Sequence, residues 1–129
     1  MSQKQISFNA FEMNCISHLS PGLWRYPNDR ALEYKSIEYW QDIAKIAEKG
    51  LFDAVFIADV LGIYDLYGGS DEAALRTALQ VPVNDPLSLA VVGAAVTQNI
   101  GFVLLACKLP LQRLEIQPFV LNFKVKFIL

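Results

Sequence analysis

A continuously apolar strand that ends in a carboxylate constrains the fold of this chain most strongly. Residues 52–59 read FDAVFIAD, and the loop VLGIYDLYGGS follows. A half-exposed strand alternates apolar with polar residues, whereas a strand buried on both faces is apolar almost throughout. Doubly buried strands belong to parallel sheets covered by helices, which place their chemistry at the carboxyl ends of the strands. The sequence therefore predicts a parallel α/β sheet with Asp59 at its functional edge.

The elements around this strand predict a β-α-β-α-β order. Residues 5–10 alternate as a short first strand does. Residues 37–49 repeat apolar side chains at a period near 3.6, which is typical of an amphipathic helix. Residues 87–97 then suggest a buried helix and residues 100–106 a buried strand. This order implies parallel strands that are joined by right-handed crossovers.

Local signals set the ends of these helices. Ser36 is predicted to cap the helix of residues 37–49, and Gly50 to end it. Asp85 can cap the helix that starts at Leu87, because Pro86 suits a first helical turn. For this Asn-Asp-Pro segment we favour capping over catalysis.

The Gly-Gly-Ser segment at residues 68–70 allows two interpretations. Its backbone could cradle a phosphate at the start of a helix over residues 71–79. Asp71 and Glu72 would repel an anion at that position, so we favour a turn and a helix N-cap.

Two long loops follow the first and second strands. Residues 11–35 and 60–86 far exceed the two to six residues that usually join a strand to a helix. Each begins at the carboxyl end of a strand, where a (β/α) barrel builds its active site. Loops of that length usually cover a functional site.

Composition excludes several classes of protein. The formal net charge of −2 over 129 residues gives no electrostatic basis for binding nucleic acid or an anionic membrane. Cys15 and Cys107 lack metal-site or disulfide spacing, so we expect free thiols, no metal site and a cytoplasmic protein. Residues 86–107 carry no charge and are long enough to span a bilayer. The polar Thr-Gln-Asn at residues 97–99 favours a soluble core instead.

Four segments carry a specific resemblance: NAFEMNCISHLSPGLWRYP, IEYWQDIAKIAEKG, FDAVFIADVLGIYDLYGGS and ALQVPVNDPLSL. They resemble the flavin-dependent monooxygenases of the bacterial-luciferase-like superfamily, closest to the branch of the nitrilotriacetate monooxygenase large component. The resemblance covers about residues 4–102. It implies a TIM barrel that uses reduced FMN from a separate flavin reductase, activates O₂ and inserts one oxygen atom into a small organic substrate.

The resemblance also implies roles for individual residues. Asp59 matches the strand-end Ala-Asp beside the flavin, where a carboxylate accepts hydrogen bonds from ribityl hydroxyls or flavin N–H groups. Alternatively, Asp59 caps a turn or pairs with a neighbouring strand end. His18 is the sole histidine, expected to line the substrate pocket or to be an ordinary loop histidine. Trp24 and Tyr34 would wall the flavin pocket or pack their loop. No catalytic residue is predicted.

The resemblance stops near Phe102, and the tail differs in character. Residues 1–102 hold seven Lys/Arg against twelve Asp/Glu, a net charge of −5, whereas residues 103–129 hold four against one, a net of +3. The tail has no Gly, Ser, Thr or Asp for turns and caps, and residues 119–129 suggest an exposed strand. We therefore expect a barrel portion over residues 1–102 and a non-family hydrophobic tail, which a shifted reading frame would explain.

The expected fold is α/β, the N-terminal β-α-β-α-β portion of an incomplete TIM barrel. A whole barrel has eight strands and about 250 residues, and its usual phosphate site lies in the last two βα loops. About three strands are expected here, with an open sheet edge. The sequence therefore suggests a truncated relic of the monooxygenase without turnover. The alternative is a non-catalytic interaction module that pairs its open edge with another chain or with a copy of itself.

Overall fold

The sheet is parallel throughout. The computed structural model describes residues 6–60 and 62–105, together with the backbone of residues 125–128. The strands are β1 (Asn9–Met13), β2 (Ala54–Ala58), β3 (Gly101–Leu105) and β4 (Val125–Ile128), and the helices are α1 (Ile37–Lys49), α2 (Glu72–Thr77) and α3 (Leu87–Ala94). The strands lie in the order β1-β2-β3-β4, and each pair is parallel. The predicted parallel α/β arrangement is thus confirmed.

The predicted position of the first strand was wrong. We expected it at residues 5–10, with a loop from Phe11 onward, whereas β1 runs from Asn9 to Met13. Glu12 falls where the alternation of Ile6, Phe8 and Ala10 would place an apolar residue, yet the strand continues through it. Pairing with β2 selects this register, because Asn9 lies opposite Ala54 and Met13 opposite Ala58. A long-range partner, rather than local pattern, sets the limits of this strand.

Helix α1 has the predicted bounds. Ser36 Oγ accepts a hydrogen bond of 3.1 Å from the Tyr39 N–H, which confirms the predicted cap. Gly50 follows the last helical residue, as predicted, but the left-handed conformation is adopted by Leu51, with φ of 61°.

The other two helices are shorter than predicted. Helix α3 ends at Ala94 rather than Thr97, and the Thr97 hydroxyl donates to the Gly93 carbonyl at 2.9 Å. The Asp85 carboxylate accepts from the Leu87 N–H at 2.7 Å, as predicted for a cap, but the N-cap position itself is occupied by Pro86 rather than Asp85. Helix α2 covers only Glu72–Thr77. The preceding glycines 68 and 69 form the predicted turn, with φ of 72° and 68°.

The tail contributes a strand to the sheet. Three strands were expected, and β4 adds a fourth, paired with β3 from Phe102↔Val125 to Leu105↔Ile128. It lies inside residues 119–129, where an exposed strand was predicted; the rest of that segment, like Cys107, lies outside the described residues. The predicted domain boundary after Phe102 falls within β3. The division into two segments of different origin stays a prediction.

The two faces of the sheet differ in burial. On one face, Val55, Ile57 and Leu104 are each 1% exposed, packed beneath α1 and α3. The opposite face carries Phe11, Phe56, Val103 and Leu105, and we call it the open face. Phe11 is 47% exposed there, and the other three are half-buried. The helix-covered face forms the larger core, and a smaller buried cluster of Met13, Cys15 and Ala58 lies on the open face at the carboxyl ends of β1 and β2.

Glu48, in the last turn of α1, is hydrogen-bonded to the loop before β3. Its Oε1 accepts hydrogen bonds from the backbone N–H groups of Gln98, Asn99 and Ile100, at 2.8, 2.6 and 3.2 Å. These bonds, with that from Asn99 contributing most, lower the pKa of the Glu48 carboxyl from its usual 4.5. One carboxylate thus joins α1 to the amino end of β3.

Replacing Glu48 with Gln should lower the melting temperature by about 4 °C at neutral pH. The neutral amide oxygen accepts the same N–H groups less strongly than a carboxylate does. Because folding lowers the pKa, this stabilisation exists above pH 4.5 and disappears as the pH falls through the lower folded value. Thermal melts from pH 3 to 7 should therefore show the two proteins converging in acid. The exposed Glu38→Gln serves as the control, and an equal effect there would contradict the role of Glu48.

Candidate functional site

The carboxyl ends of β1 and β2 bring two buried polar residues together. The last register pair is Met13 and Ala58, so Asn14 and Asp59 come next on adjacent strands. Both residues are buried. Asp59 therefore lies at the carboxyl-end edge of the sheet, where the sequence predicted it. Asn14 was missed, although it follows the first strand directly.

Asn14 is fixed in position by the loop that precedes α3. Its Nδ2 donates to the Asp85 carbonyl at 3.0 Å, and its own carbonyl accepts from the Asn84 N–H at 2.8 Å. Because Nδ2 must donate, the orientation of the amide is determined. Its Oδ1 is buried and finds no hydrogen-bond partner among the described residues. A buried acceptor of this kind suits a donor from a ligand or a water molecule.

The first long loop pairs with the end of the second. Cys15 forms an antiparallel bridge with Val83, and the Gln80 N–H donates to the Ser17 carbonyl at 2.7 Å. Burial raises the pKa of the Cys15 thiol to about 11, and its Sγ contacts the Ser17 carbonyl at 3.4 Å. This thiol is protonated at neutral pH and is a poor nucleophile. Its role is to pack the floor of the site.

Gln80 is a second buried amide that the sequence reasoning missed. It adopts φ of 56°, and its Nε2 donates to the Tyr64 hydroxyl at 3.3 Å. Its Oε1 has no hydrogen-bond partner among the described residues. Gln80 lines a cavity of about 180 Å³ together with Val60, Gly62, Ile63, Val81, Pro82 and Val83. That volume is below the roughly 300–1,000 Å³ of complete ligand pockets, so the cavity is too small for a whole ligand of that kind.

His18 lies over the open face of the sheet. It is half-buried, and its ring stacks on Phe11 with centroids 4.9 Å apart. Phe11 in turn stacks on Phe56 at 5.3 Å. Burial lowers the pKa of His18, so the imidazole is neutral at pH 7. Of the two predicted site residues, Asp59 thus lies at the carboxyl ends of the strands, and His18 lies over the open face of the sheet.

The two aromatic residues proposed as flavin walls pack their own loop. Trp24 Nε1 donates to the Thr77 carbonyl at 2.9 Å, which helps to cap the end of α2. Tyr34 is buried, and its carbonyl accepts from Trp40 Nε1 at 2.6 Å. Both contacts agree with the packing alternative. Within residues 6–60 and 62–105, no cluster of three or more His, Cys, Asp or Glu could hold a metal ion.

Replacing Gln80 with Met should raise the free energy of unfolding by about 1 kcal/mol. The change removes a buried acceptor that lacks a partner and loses only one long hydrogen bond to Tyr64. Urea denaturation measures the difference. The nearby Val83→Met, which removes no polar atom, is the control. If Gln80→Met lost stability and Val83→Met did not, the amide oxygen of Gln80 would have a hydrogen-bond partner in solution. That outcome would contradict the prediction.

In the part of the chain that the structure covers, no helix is long and apolar enough to cross a bilayer. The uncharged stretch from residue 86 onward instead forms the eight-residue α3 and then β3.

Comparisons with known proteins support the resemblance. No protein-family profile matches the chain. It is 53% identical over 100 residues to a dimethyl-sulfide monooxygenase of Hyphomicrobium sulfonivorans, which covers 78% of this chain and 21% of the relative. It is 50% identical over 99 residues to a long-chain alkane monooxygenase of Geobacillus thermodenitrificans, covering 77% of this chain and 22% of that protein. The chain therefore spans about a fifth of the length of these relatives.

Superposition on solved structures indicates the same family as the sequence comparison. The crystal structure of a long-chain alkane monooxygenase superimposes with a TM-score of 0.73 at 48% identity, over 80% of this chain and 24% of that one. A riboflavin lyase solved with modified FMN and riboflavin gives a TM-score of 0.67 at 31% identity, over 78% of this chain and 23% of the lyase. By sequence and by fold, this chain belongs to the luciferase-like, FMN-dependent monooxygenase family.

Proposed function

We propose that residues 6–105 form the first part of the barrel of a two-component FMN-dependent monooxygenase. In this proposal Asp59 contacts the flavin, and His18 lines the pocket for a small organic substrate. The observation that carries it is the buried pair of Asn14 and Asp59 at the carboxyl ends of adjacent parallel strands. Ligands of barrel enzymes bind at that edge. A separate flavin reductase would supply the reduced cofactor.

The donor and acceptor chemistry of the site fits part of a flavin. Asn14 Oδ1 and Gln80 Oε1 are buried acceptors without partners in the described residues, and Asp59 adds a carboxylate. Ribityl hydroxyls and ring N–H groups are donors, so these three side chains would hold and orient that part of the cofactor. Reduced FMN, when bound, supplies the electrons that activate O₂. Neutral His18 would accept or relay a proton on the substrate side.

The 129-residue chain acting alone should have no turnover. The usual phosphate site of the barrel comes from its seventh and eighth βα loops, whereas the described sheet has four strands. Losing the phosphate contacts and most of the pocket wall costs several kcal/mol of flavin affinity. As a separate polypeptide, the chain would be an inactive relic of the enzyme. Its buried free thiol suits a reducing compartment, so we place it in the cytoplasm.

A chimeric enzyme tests the proposed site. The 99 matching residues of the Geobacillus long-chain alkane monooxygenase are replaced by those of this chain, at 50% identity. The chimera should bind FMN within about tenfold of its parent, and Asp59→Asn should weaken binding at least about tenfold. The control is Asp65→Asn, an exposed carboxylate of the same loop. A chimera that melts like its parent but binds no FMN would refute the proposal, and so would equal effects of the two variants.

The open face favours a second candidate function, a non-catalytic interaction module. Phe11 is half exposed at the centre of β1, and β1 is an edge strand of the described sheet. Unpaired edges of parallel strands invite pairing with another chain or a second copy. A discrete oligomer that binds no flavin would support this function over the enzymatic one.

A further inference from the structure

The segment after α2 holds two residues in a backbone conformation that L side chains disfavour. Ala78 and Gln80 adopt φ of 53° and 56°, in the left-handed region that only glycine visits routinely. Backbone strain of this kind persists only where surrounding contacts enforce it, and it clusters at ligand sites. Gln80 lines the cavity and carries a buried amide oxygen without a partner among the described residues. The strain therefore coincides with the candidate site.

The contacts that can enforce this conformation come from the first long loop. The Gly22 N–H and Trp24 Nε1 both donate to the Thr77 carbonyl, at 3.2 and 2.9 Å. The Arg25 guanidinium donates to the Arg76 carbonyl at 2.7 Å. Both carbonyls belong to the last turn of α2, where a helix supplies no partners of its own. The first loop thus closes the end of α2 immediately before the strained residues.

Trp24 is the member of this set whose side-chain donor is held by packing. Its indole is half-buried, and the exposed Arg25 side chain covers the ring, with the guanidinium carbon 4.4 Å from the ring centroid. The acceptor, Thr77, precedes Gln80 by three residues, so a shift of its carbonyl moves the backbone that carries Gln80. The Gln80 N–H also donates to the Ser17 carbonyl at 2.7 Å, which ties Gln80 to the same loop.

From this geometry we propose that Trp24 is a positioning residue for Gln80. Its indole N–H, through the Thr77 carbonyl, holds residues 78–80 in place and so keeps the Gln80 side chain at the wall of the cavity. The inference rests on the proposed function, in which the Gln80 amide oxygen accepts a hydrogen bond from the flavin. Trp24 acts through Gln80 and makes no contact with the cofactor.

A double-mutant cycle in the chimeric enzyme tests this role, with FMN affinity measured by fluorescence titration. Gln80→Met and Trp24→Phe should each weaken FMN binding by about tenfold, the effect of one lost hydrogen bond. The double variant should also lose only about tenfold, because without the Gln80 amide there is nothing for Trp24 to position. Losses that multiply to about a hundredfold would overturn the proposal. An unchanged affinity in Trp24→Phe, beside a loss in Gln80→Met, would do the same.

Trp40→Phe is the matched control for the indole substitution. Trp40 Nε1 also donates to a backbone carbonyl, that of Tyr34 at 2.6 Å, but it lies in the core beneath the helices. We expect this variant to melt at a lower temperature and to bind FMN within about twofold of the unsubstituted chimera. If Trp40→Phe weakened FMN binding as much as Trp24→Phe, the effect would be general destabilisation, and the proposal would fall.

Hydrogen exchange in the unmodified 129-residue chain supplies a test without any ligand. The Gln80 N–H is the reporter, since it donates to the Ser17 carbonyl from a buried residue. Trp24→Phe should speed its exchange by at least about tenfold and leave that of Leu104, in β3, unchanged. Equal acceleration at both positions, or none at Gln80, would contradict the positioning role.

These measurements separate the positioning role from the flavin site itself. If Asp59→Asn weakens FMN binding but the losses at Trp24 and Gln80 multiply, the flavin site stands and the positioning role fails. If neither Asp59→Asn nor Gln80→Met changes FMN affinity, the flavin site fails. Faster exchange of the Gln80 N–H in Trp24→Phe would then still support the structural link between the two residues.

Discussion

Replacing Gly93 with Ala should lower the free energy of unfolding by about 3 kcal/mol. Gly93 lies within α3, where a Cβ atom would overlap Cζ and Cε1 of the Phe102 ring and approach Ala44 Cβ to 3.3 Å. Phe102 belongs to the buried core beneath α1 and α3, so its ring has little room to move. Alanine favours a helix over glycine by about 1 kcal/mol, which is smaller than the cost of overpacking.

Urea denaturation measures this change, and two further variants make it specific. Gly62→Ala is the control, since a Cβ there meets nothing within 4 Å, and it should change stability by less than about 0.5 kcal/mol. Adding Phe102→Leu to Gly93→Ala should recover part of the loss by making room for the methyl group. Equal small effects at the two glycines would show that α3 does not approach β3 as closely as described.

Replacing Trp40 with Ala should cost about 4 kcal/mol of stability. The indole is buried among α1, α3 and the sheet, and Nε1 donates to the Tyr34 carbonyl at 2.6 Å. Its ring also meets Tyr39 edge-on, with centroids 5.5 Å apart. Truncation therefore leaves a large cavity and one buried carbonyl without its donor.

A series at Trp40 separates packing from hydrogen bonding. Trp40→Phe keeps most of the apolar volume and should cost about 1–2 kcal/mol, mainly for the lost bond to Tyr34. Trp24→Ala removes a half-buried indole from the first long loop, and we expect a smaller loss than at Trp40. Comparable losses at Trp24 and Trp40 in equilibrium unfolding would contradict a core centred on α1, α3 and one face of the sheet.

The helices and the buried strand could be predicted from the sequence, because the signals for them come from residues that are close together in the chain. The 3.6-residue period and the Ser36 cap define α1, and the unbroken apolar run of β2 indicates a strand buried on both faces. The first strand was misplaced because Glu12 interrupts its apolar pattern, and only pairing with β2 shows that the strand continues. The pairing of β4 with β3 likewise has no local signal.

In the candidate site, the sequence predicted the position only of a residue that belongs to a recognisable local pattern. Asp59 directly follows an apolar strand, so its place at the carboxyl end of that strand follows from the sequence. Asn14 and Gln80 matter because the segment after β1 pairs with residues more than sixty positions later. Their unpartnered amide oxygens arise from that pairing, and a single asparagine or glutamine in a loop carries no signal of it.

The most direct test of the account is a fluorescence titration of FMN with the unmodified 129-residue chain. We hold that the strand-end residues present here form only part of a flavin site. The account predicts no saturable binding below about 1 mM, in both the chain and its Asp59→Asn variant. Saturable micromolar binding that Asp59→Asn abolishes would show that four strands suffice to hold the cofactor, and would contradict it.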